Sequence, residues 1–348
     1  SDRPPLVAGP NPPGGAVNAM RSALDNAAKF FRLLARKRSA YPEEIQIEVT
    51  NACNLQCAMC PHTHGTVPQR DFPLPLFENV VKSNPAPKRL VLTGWGEPLL
   101  HPDFFTMIDL ANRLWPETAV RFTTNGILLD EARRNRLRQL RVEAVTVSVD
   151  LWPERKDIPK EWRNILHPPS PKTFRNLVDY AADQDLMEKT PLILQSLVVE
   201  ENAEDVRRYI HFAAEQSIRA IHLVRMQPYP ENPVPRPSWK REQQLLSELR
   251  RLGREQGVSV RTLNQHSFPL RVATHFDGIC MRTDDSLYIT VEGIVTPCCN
   301  LREYAIGSLD PPGMTLTEAW NSARENEFFD SQRPVCGVCD ALFHGYRV

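Results

Sequence analysis

Between residues 45 and 224, six short β-rich runs (45–49, 90–93, 120–124, 144–149, 192–198 and 218–224) alternate with amphipathic stretches of helical spacing. The helical stretches include 102–114, 130–140, 172–186 and 203–215. Serial βα units with buried strands dictate parallel pairing, because each helix returns the chain to the same end of the sheet through a right-handed crossover. The expected fold is α/β, a partial (β/α)6 TIM barrel, since six units fall short of the eight that close one. An open barrel keeps a lateral mouth, which suits a bulky substrate.

The flanks differ in character. Ser1 to Gly15 is rich in proline and glycine and reads as a flexible leader. Met20, Leu24, Ala27, Phe31 and Leu34 then keep helical spacing, with Lys29, Arg32, Arg36, Lys37 and Arg38 mostly elsewhere around the helix. That pattern predicts a helix packed on the main domain; a membrane-surface helix is the alternative. Prolines 228, 230, 233, 235 and 237 mark a surface connection before a helix over 240–255. Beyond it, 286–291 and 294–297 around Glu292 and Gly293 read as a hairpin, followed by a helix over 316–329. The expected organisation is 1–42 leader and helix, 43–262 barrel, and 263–348 a smaller C-terminal domain.

Lysine plus arginine (42) equals aspartate plus glutamate (42), so no net positive field is available to hold a phosphate backbone. Nucleic acid is therefore not an expected partner. No run of 18 apolar residues and no secretory pattern occurs, so no membrane span and a cytoplasmic location are expected. The 8 cysteines are clustered, with none between Cys60 and Cys280. Such clustering argues against a disulfide framework and for metal.

Cys53-Asn-Leu-Gln-Cys57-Ala-Met-Cys60 follows the first strand, at the end where barrel active sites form. Three thiolates in one wrapping loop suit an iron-sulfur cluster better than tetrahedral zinc, although His62 and His64 leave a zinc knuckle open. Three ligands for four irons leave one iron open to something other than protein. The C-x-x-x-C-x-x-C pattern resembles the signature of the radical S-adenosylmethionine (SAM) enzymes. Thr93-Gly94-Trp95-Gly96-Glu97-Pro98 follows the second strand, where that family has GGEP, with Trp95 standing in place of the first glycine. Thr123-Thr124-Asn125-Gly126 ends the third strand and Ser148-Val149-Asp150 the fourth.

The resemblance covers about 43–225. It implies a [4Fe-4S] cluster on Cys53, Cys57 and Cys60, and SAM held by Gly94, Trp95, Gly96, Glu97 and Pro98, with Glu97 on its amino group. Thr124, Asn125, Ser148 and Asp150 would then lie near the ribose, and Met59 near the adenine.

Cys280, twelve residues, Gly293, four residues and Cys298 match the opening of the SPASM domain that follows many such barrels, and Cys336-x-x-Cys339 continues it. A full pattern has another cysteine where this chain has Gly345. The set therefore resembles the shortened twitch variant, with spacing similar to the aminocyclitol dehydrogenases. It implies a second [4Fe-4S] cluster, closed by Cys280, Cys298, Cys336 and Cys339; a four-cysteine zinc ribbon is the alternative. Cys298 is preferred to Cys299 by the Gly-x4-Cys spacing, and because neighbours in an extended strand point to opposite faces. Cys299 is then a small buried side chain beside the cluster, or a hydrogen-atom donor.

The resemblance implies that reduction of the first cluster cleaves SAM to a 5′-deoxyadenosyl radical, which takes a hydrogen atom from a substrate C–H bond. Dehydrogenation follows if the second cluster accepts the electron, and epimerisation if Cys299 returns a hydrogen. A small polar molecule is the expected substrate: a sugar, an aminocyclitol or a natural-product intermediate. A ribosomally made peptide ranks below it, because the 40 or so residues before the first strand are too few for the expected peptide-binding domain. An electron carrier and a zinc scaffold are the readings outside enzymes. Flavodoxin or ferredoxin is the expected electron donor. Trp152, Arg155, Lys156, Trp162 and Arg163, in the loop after the fourth strand, and Arg225, at the end of the sixth, are the candidate substrate contacts.

Overall fold

The computed structural model describes residues 39–57, 59–60, 63, 68–155, 170–225, 237–263, 285–302, 304–310 and 313–325. The six expected strands form as β1 (Glu44–Ile47), β2 (Arg89–Leu92), β3 (Ala119–Thr124), β4 (Ala144–Ser148), β5 (Leu192–Val198) and β6 (Ala220–Arg225). Each pairs in parallel with the next. The crossovers carry α1 (Leu74–Ser83), α2 (Phe104–Leu114), α3 (Glu131–Arg138), α4 (Pro171–Ala182), α5 (Gln184–Lys189) and α6 (Ala203–Glu215).

The helices start where their side chains satisfy orphan backbone donors. Asp130 caps α3 by accepting from the Arg133 N–H, and Ser170 caps α4 by accepting from the Thr173 N–H just ahead of Pro171.

Along each strand, burial alternates. Ile45, Ile47, Leu90, Leu92, Val120, Phe122, Val145, Val147, Leu194, Ile221 and Leu223 are buried and share one core with helix residues including Phe104, Met107, Leu177, Val206 and Ile210. The residues between them, among them Gln46, Thr93, Thr123, Thr146, Ser148, Gln195 and His222, are half-buried. Successive side chains point to opposite faces, so the helices cover one face, while the inner face of the partial barrel is half-buried and mixes these polar side chains with Val91, Ile193, Leu197 and Val224. The strands are fully buried on the helix-facing side.

Two additions extend the sheet. After α7 (Trp239–Glu255), β7 (Ser259–Thr262) pairs in parallel with β6. On the other side of β1, β8 (Ser286–Ile289) also pairs in parallel, Glu44 opposite Ser286 and Ile47 opposite Ile289. The expected hairpin then forms between β8 and β9 (Ile294–Thr296), with Gly293 at φ 77°, and β10 (Gly307–Ser308) pairs antiparallel with β9. The order β10-β9-β8-β1-β2-β3-β4-β5-β6-β7 is one ten-stranded sheet, so the C-terminal hairpin continues the barrel sheet. Finally α8 (Leu316–Glu325) docks on the sheet's start, the Trp320 indole N–H donating to the Ser39 carbonyl at 3.0 Å.

The leader, the helix over 20–38, the proline connection from 226 to 236, and His62, His64, Lys156, Trp162, Arg163, Cys280, Cys336 and Cys339 lie outside the described residues. No described helix is long and apolar enough to cross a membrane.

Candidate active site

The carboxyl ends of the parallel strands open onto a cavity of about 360 Å3. This volume is in the range of small-molecule sites. A larger depression of about 610 Å3 runs along α7, but one helix alone lines it and it holds no thiol.

The cysteine loop enters the cavity from a hydrogen-bonded neck. Asn51 donates from Nδ2 to the Pro68 carbonyl at 3.0 Å and accepts the Arg70 N–H at 2.6 Å, so the loop leaves β1 and returns at one point. Within it, the Cys60 N–H donates to the Cys57 carbonyl at 2.9 Å, and the Thr63 hydroxyl donates to the same carbonyl at 2.7 Å. Cys53, Cys57, Met59 and Cys60 all line the cavity, as does Leu55. Burial pushes the Cys57 thiol up to about 12, reinforced by Asp150 and by the other two cysteines. Burial also raises Cys53, with Glu97 and Cys60 adding to it. These thiols hold their protons until a positive centre displaces them, as metal binding does.

Among the described residues no three His, Cys, Asp or Glu side chains stand close enough to chelate a single ion. A four-iron cluster spreads its thiolates more widely than one ion does. Three soft donors facing one cavity, mutually opposing one another's ionisation, fit that group.

The second wall comes from the loop after β2. The Glu97 N–H donates to the Ala52 carbonyl at 2.8 Å, pinning this loop to the one that carries the cysteines. Gly96 permits that approach: a Cβ there would lie 2.3 Å from the Thr50 carbonyl oxygen. The Glu97 carboxylate, 2% exposed, accepts from the Leu99 N–H at 3.1 Å, the Thr124 hydroxyl at 2.7 Å and the Asn125 N–H at 2.7 Å. Burial raises its pKa against these donors, which lower it. Glu97 is thus a wall of the cavity and also the tie between the ends of β2 and β3. Asn125 in turn donates from Nδ2 to Asn54 Oδ1 at 2.7 Å, returning to the cysteine loop.

The far wall is Ser148 at the end of β4 and Asp150 just beyond it, with Gln195 and Leu197 from β5, Val224 from β6, and Ser170 and Thr173 at the start of α4. Asp150 accepts the Leu197 N–H at 2.9 Å, and burial lifts its carboxyl to about 6. The sequence reading missed Gln195, Leu197, Val224, Ser170 and Thr173; of these Gln195, a polar residue midway along an apolar strand, carried a signal that could have found it.

Several expected residues sit elsewhere. Gly94 and Gly96 line the cavity, whereas Trp95 and Pro98 are not among its lining residues. The Trp95 ring lies under the Arg302 guanidinium, 4.4 Å from centroid to Cζ, and Pro98 is buried at the start of a short 3-10 turn. Arg225 was expected to meet a substrate carboxylate. Instead its Nε donates to Glu242 at 3.0 Å, because that carboxylate, only 2% exposed, needs a cation beside it.

Trp152 and Arg155 do not reach over the mouth. The Trp152 ring packs 5.0 Å from Tyr209 and 5.4 Å from Phe174, and Arg155 pairs with the buried Asp205. They anchor the β4 loop to α6. Cys298 and Cys299 lie in a bend beyond β9, so strand alternation gives no ground for choosing between them as a ligand. The Cys298 carbonyl holds that bend, accepting from the Thr296 hydroxyl and the Leu301 N–H, each at 3.1 Å.

Two family models match the chain: the radical SAM superfamily over 47–213, and SPASM, an iron-sulfur cluster-binding domain, over 280–340. Among curated proteins the chain is 25% identical over 188 residues to the tungsten-containing aldehyde ferredoxin oxidoreductase cofactor-modifying protein of Pyrococcus furiosus, covering 53% of this chain and 51% of that one. It is 31% identical over 110 residues to the GTP 3′,8-cyclase of Chlorobaculum tepidum, covering 30% and 32% respectively. The chain thus spans about half or less of the length of these relatives.

Among solved structures, Streptococcus suis SuiB bound to precursor peptide SuiA matches 99% of this chain and 78% of its own, with TM-score 0.64 and 14% identity. The anSMEcpe protein with bound AdoMet matches 86% and 84%, with TM-score 0.57 and 18% identity. At such identities the likeness is one of fold.

Proposed function

Because the chain belongs to the radical SAM superfamily and carries a SPASM iron-sulfur domain, we propose that it takes a hydrogen atom from a C–H bond of a small polar substrate held against the inner face of the barrel. Its cofactors are a [4Fe-4S] cluster, SAM and a SPASM auxiliary cluster. When bound, the first cluster and SAM together supply the radical that attacks the C–H bond. The carrying observation is that Cys53, Cys57, Cys60, Glu97, Asn125, Ser148 and Asp150 line a single cavity.

In this reading Cys53, Cys57 and Cys60 hold the first cluster and leave one iron for SAM. The carboxylate of Glu97, already fixed by three protein donors, presents a pre-set negative edge toward the SAM amino group. Asn125, Ser148 and Asp150 offer donors and acceptors to the ribose hydroxyls, and Met59 packs at the adenine. Gln195 and Thr173 supply polar contacts toward the substrate side. Cys280, Cys298, Cys336 and Cys339 hold the auxiliary cluster.

The small-molecule reading draws support from curated relatives named for a tungsten enzyme's cofactor and for cyclising GTP. The two outcomes differ in what this chain must supply. Epimerisation needs a side chain that returns a hydrogen atom, and Cys299 is the thiol assigned to it; dehydrogenation needs none.

Anaerobic reconstitution with iron and sulfide tests the assignment. About eight irons per chain are expected, together with 5′-deoxyadenosine on adding SAM and dithionite. A colourless protein that binds zinc, or an iron-loaded protein that forms no 5′-deoxyadenosine, would sink it. Deuterium appearing in 5′-deoxyadenosine from labelled sugars or aminocyclitols, and not from peptides, identifies the substrate class.

A further inference from the structure

Behind the glycine loop lies a buried charge with no part in the cavity. Glu48, the residue after β1, is 0% exposed. Its carboxylate accepts the Trp95 N–H at 3.0 Å and the Val291 N–H at 3.1 Å, and pairs with Arg302. Arg302 is reached from the bend that holds Cys298 and Cys299, 254 residues further along the chain. Its guanidinium also lies 3.3 Å from the Tyr288 hydroxyl and 3.6 Å from Glu292, and stacks 4.4 Å over the Trp95 ring.

Four segments therefore meet at one carboxylate: the end of β1, the glycine loop, the β8–β9 turn and the cysteine bend. Gly94 makes room for it, since a Cβ there would fall 2.2 Å from Glu48 Cγ. Trp95 stands between the two glycines that line the cavity and two residues before Glu97. Fixing its backbone N–H and its ring fixes that wall from behind.

We propose that Arg302 is a positioning residue for SAM, clamping Trp95 and Glu48 so that the C-terminal cysteine segment holds the glycine loop in its binding conformation. The proposal rests on the function proposed above. A buried carboxylate needs a paired cation, which accounts for Arg302 near Glu48. It does not require the cation to lie on an aromatic ring of the glycine loop. That second contact gives the pair a direction: it restrains Trp95 sideways as well as through its backbone.

The test uses the iron-loaded full chain and follows the spectrum of its reduced first cluster by electron paramagnetic resonance as SAM is added. Two variants separate positioning from folding. Trp95→Leu removes the ring but leaves the Glu48–Arg302 pair and the backbone bonds, and should raise the apparent Kd for SAM about threefold. The paired variant Glu48→Gln with Arg302→Met strands no fully buried charge, Glu292 being partly exposed to water, and should raise it about tenfold, a magnitude usual for coupled sites. Arg302→Lys keeps the charge without the planar stack and should fall between them.

In each variant KM for SAM should rise more than kcat falls. If Trp95→Leu and an iron-replete paired variant both bind SAM within about twofold of the parent, the proposal is overturned. Loss of first-cluster iron from the paired variant, with Trp95→Leu unchanged, would overturn it equally and leave the node a folding element. A parent protein whose spectrum does not respond to SAM would instead refute the SAM-binding reading itself.

Discussion

The two cysteine regions are built on opposite plans. The three thiols of the first lie within eight residues, in a loop whose ends Asn51 ties together, and they share one cavity. The four proposed for the second are spread from residue 280 to 339, and of these the described residues include Cys298, in a bend held by its own carbonyl. Closing a long loop costs more conformational entropy than closing a short one. The comparison teaches a difference in reach: a short hydrogen-bonded loop brings the first three thiols to one cavity, whereas a cluster on the second set would close a far longer stretch of chain.

The largest expected effect follows from breaking the first region. Cys57→Ala should abolish 5′-deoxyadenosine formation while about four irons per chain remain, read by iron analysis. Loss of all iron would mean the two sites assemble as one. Next, Cys336→Ala should remove about four irons while SAM cleavage without substrate persists. It should also lower the thermal midpoint more than Cys57→Ala does, because metal closes the longer loop there; scanning calorimetry under anaerobic conditions decides.

A smaller effect probes how far the first cavity is shaped by protein alone. Glu97→Ala leaves two buried donors and one half-buried donor without their acceptor and should cost the metal-free protein about 3 kcal/mol in urea unfolding. An unchanged midpoint would show that the wall is set only when the cluster is bound. Cys299→Ala should do least: iron content unchanged and stability altered by about 1 kcal/mol or less. Its product carries the information. Unchanged turnover sinks the epimerase reading, and accumulation of a dehydrogenated or unquenched product supports it.

Much of the fold was legible because each of the first four parallel strands repeats an apolar residue at every second position and leads into a polar motif. The carboxyl ends gather those motifs whatever the helices between them contain. Local signals failed where pairing is distant or weak. β7 carries Val260 as its one apolar side chain and is partly exposed, so nothing in its four residues separates it from a loop. That β8 pairs with β1 is a contact between residues 286 and 44 that no short pattern encodes.

The substrate contacts proposed from position alone turned inward for the same reason, Trp152 onto the rings of Tyr209 and Phe174 and the two arginines, Arg225 and Arg155, onto carboxylates. Buried Glu242 and Asp205 each call for a cation, and the partner lies on another element. Trp95 was the exception, since its departure from the family glycine was visible in the sequence although its partner Arg302 was not.

The alternation along the strands has an evolutionary consequence. Outward residues such as Ile45, Leu92 and Val147 carry the packing, while their immediate neighbours Gln46, Thr93 and Ser148 face the inner side. A closed barrel would fill that interior with packed layers, so that altering one inner residue disturbs the rest. Here selection can rewrite one letter in two to admit a new substrate while the other letter keeps the chain folded, and a scaffold divided in this way can change its chemistry faster than its shape.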